Sequence, residues 1–136
     1  MNKKAQSDVL MNNISRLILL AIFIAGIFAV IWQQSNGAGV WEDYYAKEIA
    51  KMIDMSKAGD EVTFDVQKGT EIAFKNGVGK SEIFNFNNVN NEVCVKLSAG
   101  RSTCFNYFND VDITDPNVEL GVPINVLHFS VKESVK

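Results

Sequence analysis

The sequence predicts an α+β protein: an N-terminal transmembrane helix, then a second, amphipathic helix packed on a small antiparallel β-sheet domain of about six strands. Three observations carry this. Leu17 to Trp32 is an unbroken apolar run, Trp41 to Ile53 repeats its apolar residues at helical spacing, and from Glu61 onward the period shortens to two. The expected segments are a cytoplasmic stretch 1–16, an apolar helix 17–34, a flexible break 35–39, an amphipathic helix 40–58 and an extracytoplasmic β-domain 59–136.

The apolar run comes first in the chain and decides most. At ~1.5 Å per residue its sixteen side chains cover roughly 24 Å, and a snorkelling Arg16 extends that toward the ~30 Å of a bilayer core. Lys3, Lys4 and Arg16 precede the run and the next basic residue is Lys47, so the N-terminus is expected in the cytoplasm and the remainder outside. Trp32 and Trp41 fall where an interfacial aromatic belt would sit. Within the run, Ala21, Ala25 and Ala29 recur every four residues, placing three small side chains on one helical face. Such a face permits close helix–helix approach in lipid.

Beyond Trp32 the chain carries 10 Lys+Arg against 15 Asp+Glu. This acidic exterior excludes nucleic acid as a partner, which needs a basic footprint. The expected partners are the lipid bilayer and either further copies of the chain or other membrane or filament subunits. About 100 residues remain for one small domain.

Gln33 to Gly39 is rich in small and polar residues and reads as the break. In the following helix Trp41, Tyr45, Ile49, Met52 and Ile53 form the apolar face, with Glu42, Asp43, Lys47, Glu48, Lys51 and Asp54 elsewhere around the wheel. Ala58-Gly59-Asp60 ends it. Val62, Phe64 and Val66 then alternate as a strand, Lys68-Gly69 reads as a turn, and Ile72 and Phe74 as the next strand. A third strand is expected over 81–86, a turn over 85–91, a hairpin over 92–108, an irregular segment over 109–122 and a last strand over 124–132 with Leu127, Phe129 and Val131 inward.

The hairpin is the most specific feature. A three-residue loop with Gly100 in the left-handed position pairs Leu97 with Arg101, and counting outward sets Cys94 opposite Cys104. The same alternation puts Val93, Val95, Leu97, Phe105 and Tyr107 on one face and the cysteines on the other. A cross-strand disulfide is the expectation, in the compartment where disulfides persist. Two cysteines and one distant histidine do not fill a zinc shell, so no metal site is expected there.

No catalytic constellation is present. His128, the only histidine, is expected to face away from Leu127 and Phe129. Gly77 and Gly79 punctuate a turn, and no nucleophile elbow or phosphate-cradling loop occurs. The acidic stretch from Asn109 to Glu119 fails the EF-hand template: Asp115 stands where glycine is needed and Gly121 where glutamate is needed, counted from Asp110. Asn13-Ile14-Ser15 matches the N-glycosylation pattern but precedes the anchor on the expected cytoplasmic side. Neither an enzyme nor a cofactor is implied.

The start Asn2-Lys3-Lys4-Ala5-Gln6-Ser7 resembles the class III signal of archaeal type IV pilin-like proteins. In that family two basic residues and a small residue precede a cut just before glutamine, which here implies cleavage between Ala5 and Gln6. The layout is similar as well: a hydrophobic helix, an amphipathic continuation and a disulfide-bearing β-domain. The family's apolar segment begins almost at the cut, whereas Asp8, Asn12, Asn13 and Arg16 intervene here. The resemblance implies a surface or filament subunit whose apolar helix anchors or assembles it. The residues also leave open an uncleaved single-pass anchored accessory or binding module, and a secreted β-protein cut near Gly37-Ala38-Gly39. The three differ in their mature N-terminus: Gln6, the uncut start, or near Val40.

Overall fold

The computed structural model describes residues 3–34 and 37–135, with side chains in the first helix described over 13–30. Two compact units emerge, 1–36 and 37–136.

The first unit is one helix, α1 (Lys3–Gln34). Its window Asn13–Val30 is long and apolar enough to cross a membrane, and none of that window is buried. The helical backbone takes in Asp8, Asn12 and Asn13 ahead of the apolar run, so the helix starts well before the expected position 17.

The second unit begins at Gly37, whose left-handed backbone (φ 67°) opens α2 (Ala38–Met55) and whose carbonyl accepts the Trp41 N–H at 3.1 Å. The left-handed region is cheap for glycine alone, which suits it to this entry. Within the expected break, Ser35 and Asn36 lie outside the described residues, while Ala38 and Gly39 are already helical. Six strands follow in two three-stranded antiparallel sheets, not one meander. The first sheet orders β1 (Glu61–Asp65), β6 (Val126–Glu133) and β5 (Val111–Glu119); the second orders β2 (Phe84–Asn87), β3 (Glu92–Val95) and β4 (Thr103–Asn106). The shared core gathers Tyr45, Ile49 and Ile53 from α2 with Val93 and Val95 from one sheet, Leu97 from the loop after β3, and Leu127, Phe129 and Val131 from the other sheet. Phe86 and Phe129 join the sheets ring to ring at 5.3 Å between centroids.

Three expectations about elements are corrected. Ile72 and Phe74 are not on a strand: Gln67–Lys75 forms a helix, α3. Val66, Thr70 and Ala73, all fully buried, recur at helical spacing, and the Asp65 carboxylate accepts the Gln67 N–H at 2.9 Å at the helix start. Gly69 sits inside α3 because a Cβ there would lie 2.7 Å from Tyr45 Cε2. The segment 109–122 is not irregular, since β5 occupies most of it, with a bulge between Thr114 and Asn117 that holds Asp115 at φ 54°. The bulge shifts the inward phase from Val111 and Ile113 to Val118 and leaves Pro116 outside regular pairing. The third strand starts at Phe84 and not at Ser81, because Lys80–Glu82 is a single 3-10 turn. The last strand keeps the expected inward set Leu127, Phe129 and Val131.

Candidate functional site

Two surfaces carry the chemistry this chain offers: the bare apolar face of α1, and the hairpin fastened to α2. On α1 every described side chain from Asn13 to Val30 is exposed, Ala21, Ala25 and Ala29 among them. A Cβ added at Gly26 would meet nothing within 4 Å. Ala5 and Gln6 fall on the helical backbone, and their side chains lie outside the described residues, as does that of Trp32.

The hairpin forms in the expected register. Cys94 pairs with Cys104 across β3 and β4, and the two are bridged, with Cα atoms 4.0 Å apart. The bridge lies on the outer face beside Lys96, which reaches Glu82 at 3.0 Å, while Val93, Val95, Leu97 and Tyr107 are buried inward. Phe105, expected inward as well, is at the sheet edge and 40% exposed, with Lys47 Nζ 5.9 Å above its ring. Glu92, Cys94 and Cys104 lie close enough to suggest a metal triad, but the disulfide consumes both sulfurs.

Glu42 is what the helical wheel misplaces. It is only 4% exposed, and its carboxylate points into the hairpin. Oε1 accepts the Leu97 N–H at 2.7 Å and the Ser98 hydroxyl at 3.4 Å, and Oε2 accepts the Thr103 hydroxyl at 3.0 Å. The opposite end of α2 is clasped in the same manner. Asp54 accepts the N–H groups of Phe108 and Asn109 at 2.6 and 2.9 Å, and the Asn109 amide donates to the carbonyls of Ile53 and Ser56. Asn109 thereby satisfies carbonyls that a helix C-terminus leaves open. The hairpin is thus tied to α2 near both helix ends.

Asn88 links the two sheets. Its amide donates to the Ile113 carbonyl at 3.0 Å and its oxygen accepts the Ile113 N–H at 2.9 Å, as a neighbouring strand would. Tyr45 reaches α3, its hydroxyl accepting the Gly69 N–H at 3.1 Å. Burial pushes the Tyr45 phenol above its ordinary 10.0, the Gly69 bond opposes this, and Asp65 adds to the rise. Tyr107 is raised for the same first reason, with Asp112 adding to it.

His128 faces outward as expected, its Nδ1 at 3.0 Å from Thr63 Oγ1 and its Nε2 at 3.8 Å from Glu119. Thr63 stands directly opposite His128 in the β1–β6 register. Asp110, Asp112, Asp115 and Glu119 are spread along β5 and its approach, and among the described residues they form no convergent ligand set. Helical periodicity hid Glu42 and Asp54, and the small turn-prone side chains of Asn88 and Asn109 read as loop composition. Compared with family models, curated proteins and solved structures, the chain matches none of them.

Proposed function

We propose that this chain is a pilin-like surface subunit, with the α1 helix anchoring it in the membrane or assembling it into a filament and the 37–136 domain facing outside. The observation that carries the reading is the division of labour between the units. The second unit closes its core with its own residues and staples it with Cys94–Cys104, while the window Asn13–Val30 of α1 is wholly uncovered. The consecutive apolar residues Leu17 to Val30, left bare in water, are costly at about 25 cal/mol per Å². Lipid or neighbouring α1 helices remove that cost. The face of Ala21, Ala25 and Ala29 allows the second, and the disulfide suits an oxidising exterior. The Lys3-Lys4-Ala5-Gln6 start supports the same assignment through its resemblance to class III signals.

Mass spectrometry of the native N-terminus together with Ala25→Leu tests it. Cleavage before Gln6 is expected. The variant should insert into membrane normally but fail to co-purify with its own kind or polymerise, because a larger side chain separates the helices. An uncut N-terminus with unaltered association of the variant would leave the anchored binding module in its place. A mature start near Val40 would make the protein secreted.

A further inference from the structure

We propose that the cleft between the N-terminal half of α2 and the start of α3 is a binding site for a small, free organic cation of the quaternary-ammonium class. The site lies entirely within the 37–136 unit, so it goes beyond the assembly reading and does not depend on it. Trp41, Tyr44 and Tyr45 are neighbours on one face of α2, three and four residues apart. Together with Phe64 from β1 they line a cleft of about 450 Å³, a volume in the range of small-molecule sites. Tyr45 is its fixed back wall. Its ring meets those of Phe64 and Phe84 near right angles, at 87° and 85°, and its hydroxyl accepts the Gly69 N–H at 3.1 Å. Tyr44 stands 5.5 Å from Trp41 and 5.4 Å from Tyr45, at 84° and 68° to them. It is 47% exposed and Trp41 is half-buried, so this side of the aromatic cluster is open.

The rim adds charge to the rings. Two carboxylates, Asp65 and Glu71, border the cleft against one ammonium, Lys68. Gln67 holds both carboxylates in place: its N–H donates to Asp65 Oδ1 at 2.9 Å and its side-chain amide to Glu71 Oε1 at 2.7 Å. Gln67 is itself fixed, because its side-chain oxygen accepts the Asn125 N–H at 2.9 Å. Each carboxylate uses one oxygen in this way, and among the described residues the other accepts no hydrogen bond. Burial is the main reason the Tyr45 phenol is raised, and Asp65 and Glu71 add to the rise, so their field reaches the back wall.

Ring geometry and charge together name the ligand. Aromatic faces carry the negative side of the ring quadrupole and attract a cation laid against them. A sugar stacks on a flat aromatic platform, whereas rings set near right angles form the corner of a box, which suits a compact cation. Ring faces offer no lone pairs, so they satisfy best a cation that has no N–H to donate. The carboxylates at the rim complement its charge from the open side and oppose a phosphate joined to it. A free quaternary ammonium therefore fits better than a phosphocholine headgroup.

Titration of the full chain with choline chloride in a polyoxyethylene detergent tests this by tryptophan fluorescence. Every sample carries Trp32→Phe, so that Trp41 in the cleft wall is the one reporter. Dimethylbutanol, with carbon in place of the charged nitrogen, is the neutral isostere, and phosphocholine stands for a lipid headgroup. Choline at millimolar concentration should saturate the Trp41 signal, with dimethylbutanol at least about tenfold weaker and phosphocholine weaker than choline. Asp65→Asn with Glu71→Gln keeps both acceptors for Gln67 while removing the charges, and should weaken choline about tenfold. Tyr44→Ala removes an exposed ring and should weaken it about fivefold, with circular dichroism unchanged. Equal binding of dimethylbutanol would reduce the cleft to an apolar pocket and overturn the cation assignment. That comparison needs neither cleft variant, so it decides even if one misfolds. Choline binding unaltered by both cleft variants, or no saturation at all, would equally remove the site. Tighter binding of phosphocholine than of choline would overturn the free cation in favour of a headgroup.

Discussion

Glu42 occupies the second turn of α2 with both carboxylate oxygens engaged by donors from the hairpin. Such a group stabilises less by the bonds it makes than by the vacancies its loss would create. Truncation at Ala leaves the Leu97 N–H and the Thr103 hydroxyl without their acceptor, and an unsatisfied buried donor costs roughly 1–3 kcal/mol. Glu42→Ala should therefore lower stability by about 3 kcal/mol. Glu42→Gln keeps one acceptor oxygen but turns an amide toward the other donor, so it should lose about half as much. Chemical denaturation of the two variants checks the order. Equal, near-zero losses would mean that water replaces the carboxylate and that the hairpin holds to α2 by packing alone.

At the level of elements, the β3–β4 hairpin carries its own staple and its own clasp. The Cys94–Cys104 bridge closes a loop of 10 residues, which by chain entropy contributes roughly 2–3 kcal/mol. Paired replacement of both cysteines by serine should lower stability by that amount and speed amide exchange in β4 first, since β4 is the edge strand that the bridge ties to β3. Uniform loss of protection across both sheets would show that the bridge holds the whole domain and not one hairpin. This hairpin was legible in the sequence because Gly100 sets the loop and alternation then fixes every partner outward from it. Residues 67–75 were not legible. Their only glycine looks like a turn residue, and its real reason, the close approach of the Tyr45 ring, is a tertiary contact. β5 was hidden by its acidic residues and Pro116, and by a bulge that changes the phase of its inward residues midway. The pairing of strands into two sheets depends on the distant β1–β6 contact and on Asn88, neither of which leaves a local signal.

At the scale of the whole molecule, the two units place different demands on their surroundings. The described window Asn13–Val30 of α1 has no buried residue, whereas the 37–136 unit buries a continuous core and holds both cysteines. A fragment comprising 37–136 should accordingly fold by itself, cooperatively and with its disulfide formed. Its alkaline limit follows from the two buried phenols. Tyr45 and Tyr107 both have folded values raised above the ordinary 10.0, burial being the main cause, so the folded state holds their protons more tightly than the unfolded chain does. The stabilisation they confer relative to the ionised forms is complete below pH 10.0 and is lost as the pH rises through the raised folded values. Following tyrosinate absorbance and circular dichroism together on the fragment tests both statements. Stability should fall above the ordinary phenol value, with ionisation of the two buried tyrosines accompanying unfolding. Replacing both with phenylalanine should flatten that fall, even though Tyr45→Phe also removes the acceptor for the Gly69 N–H and so lowers stability at neutral pH. A fragment that stays unfolded without residues 1–36 would mean that α1 belongs to the fold.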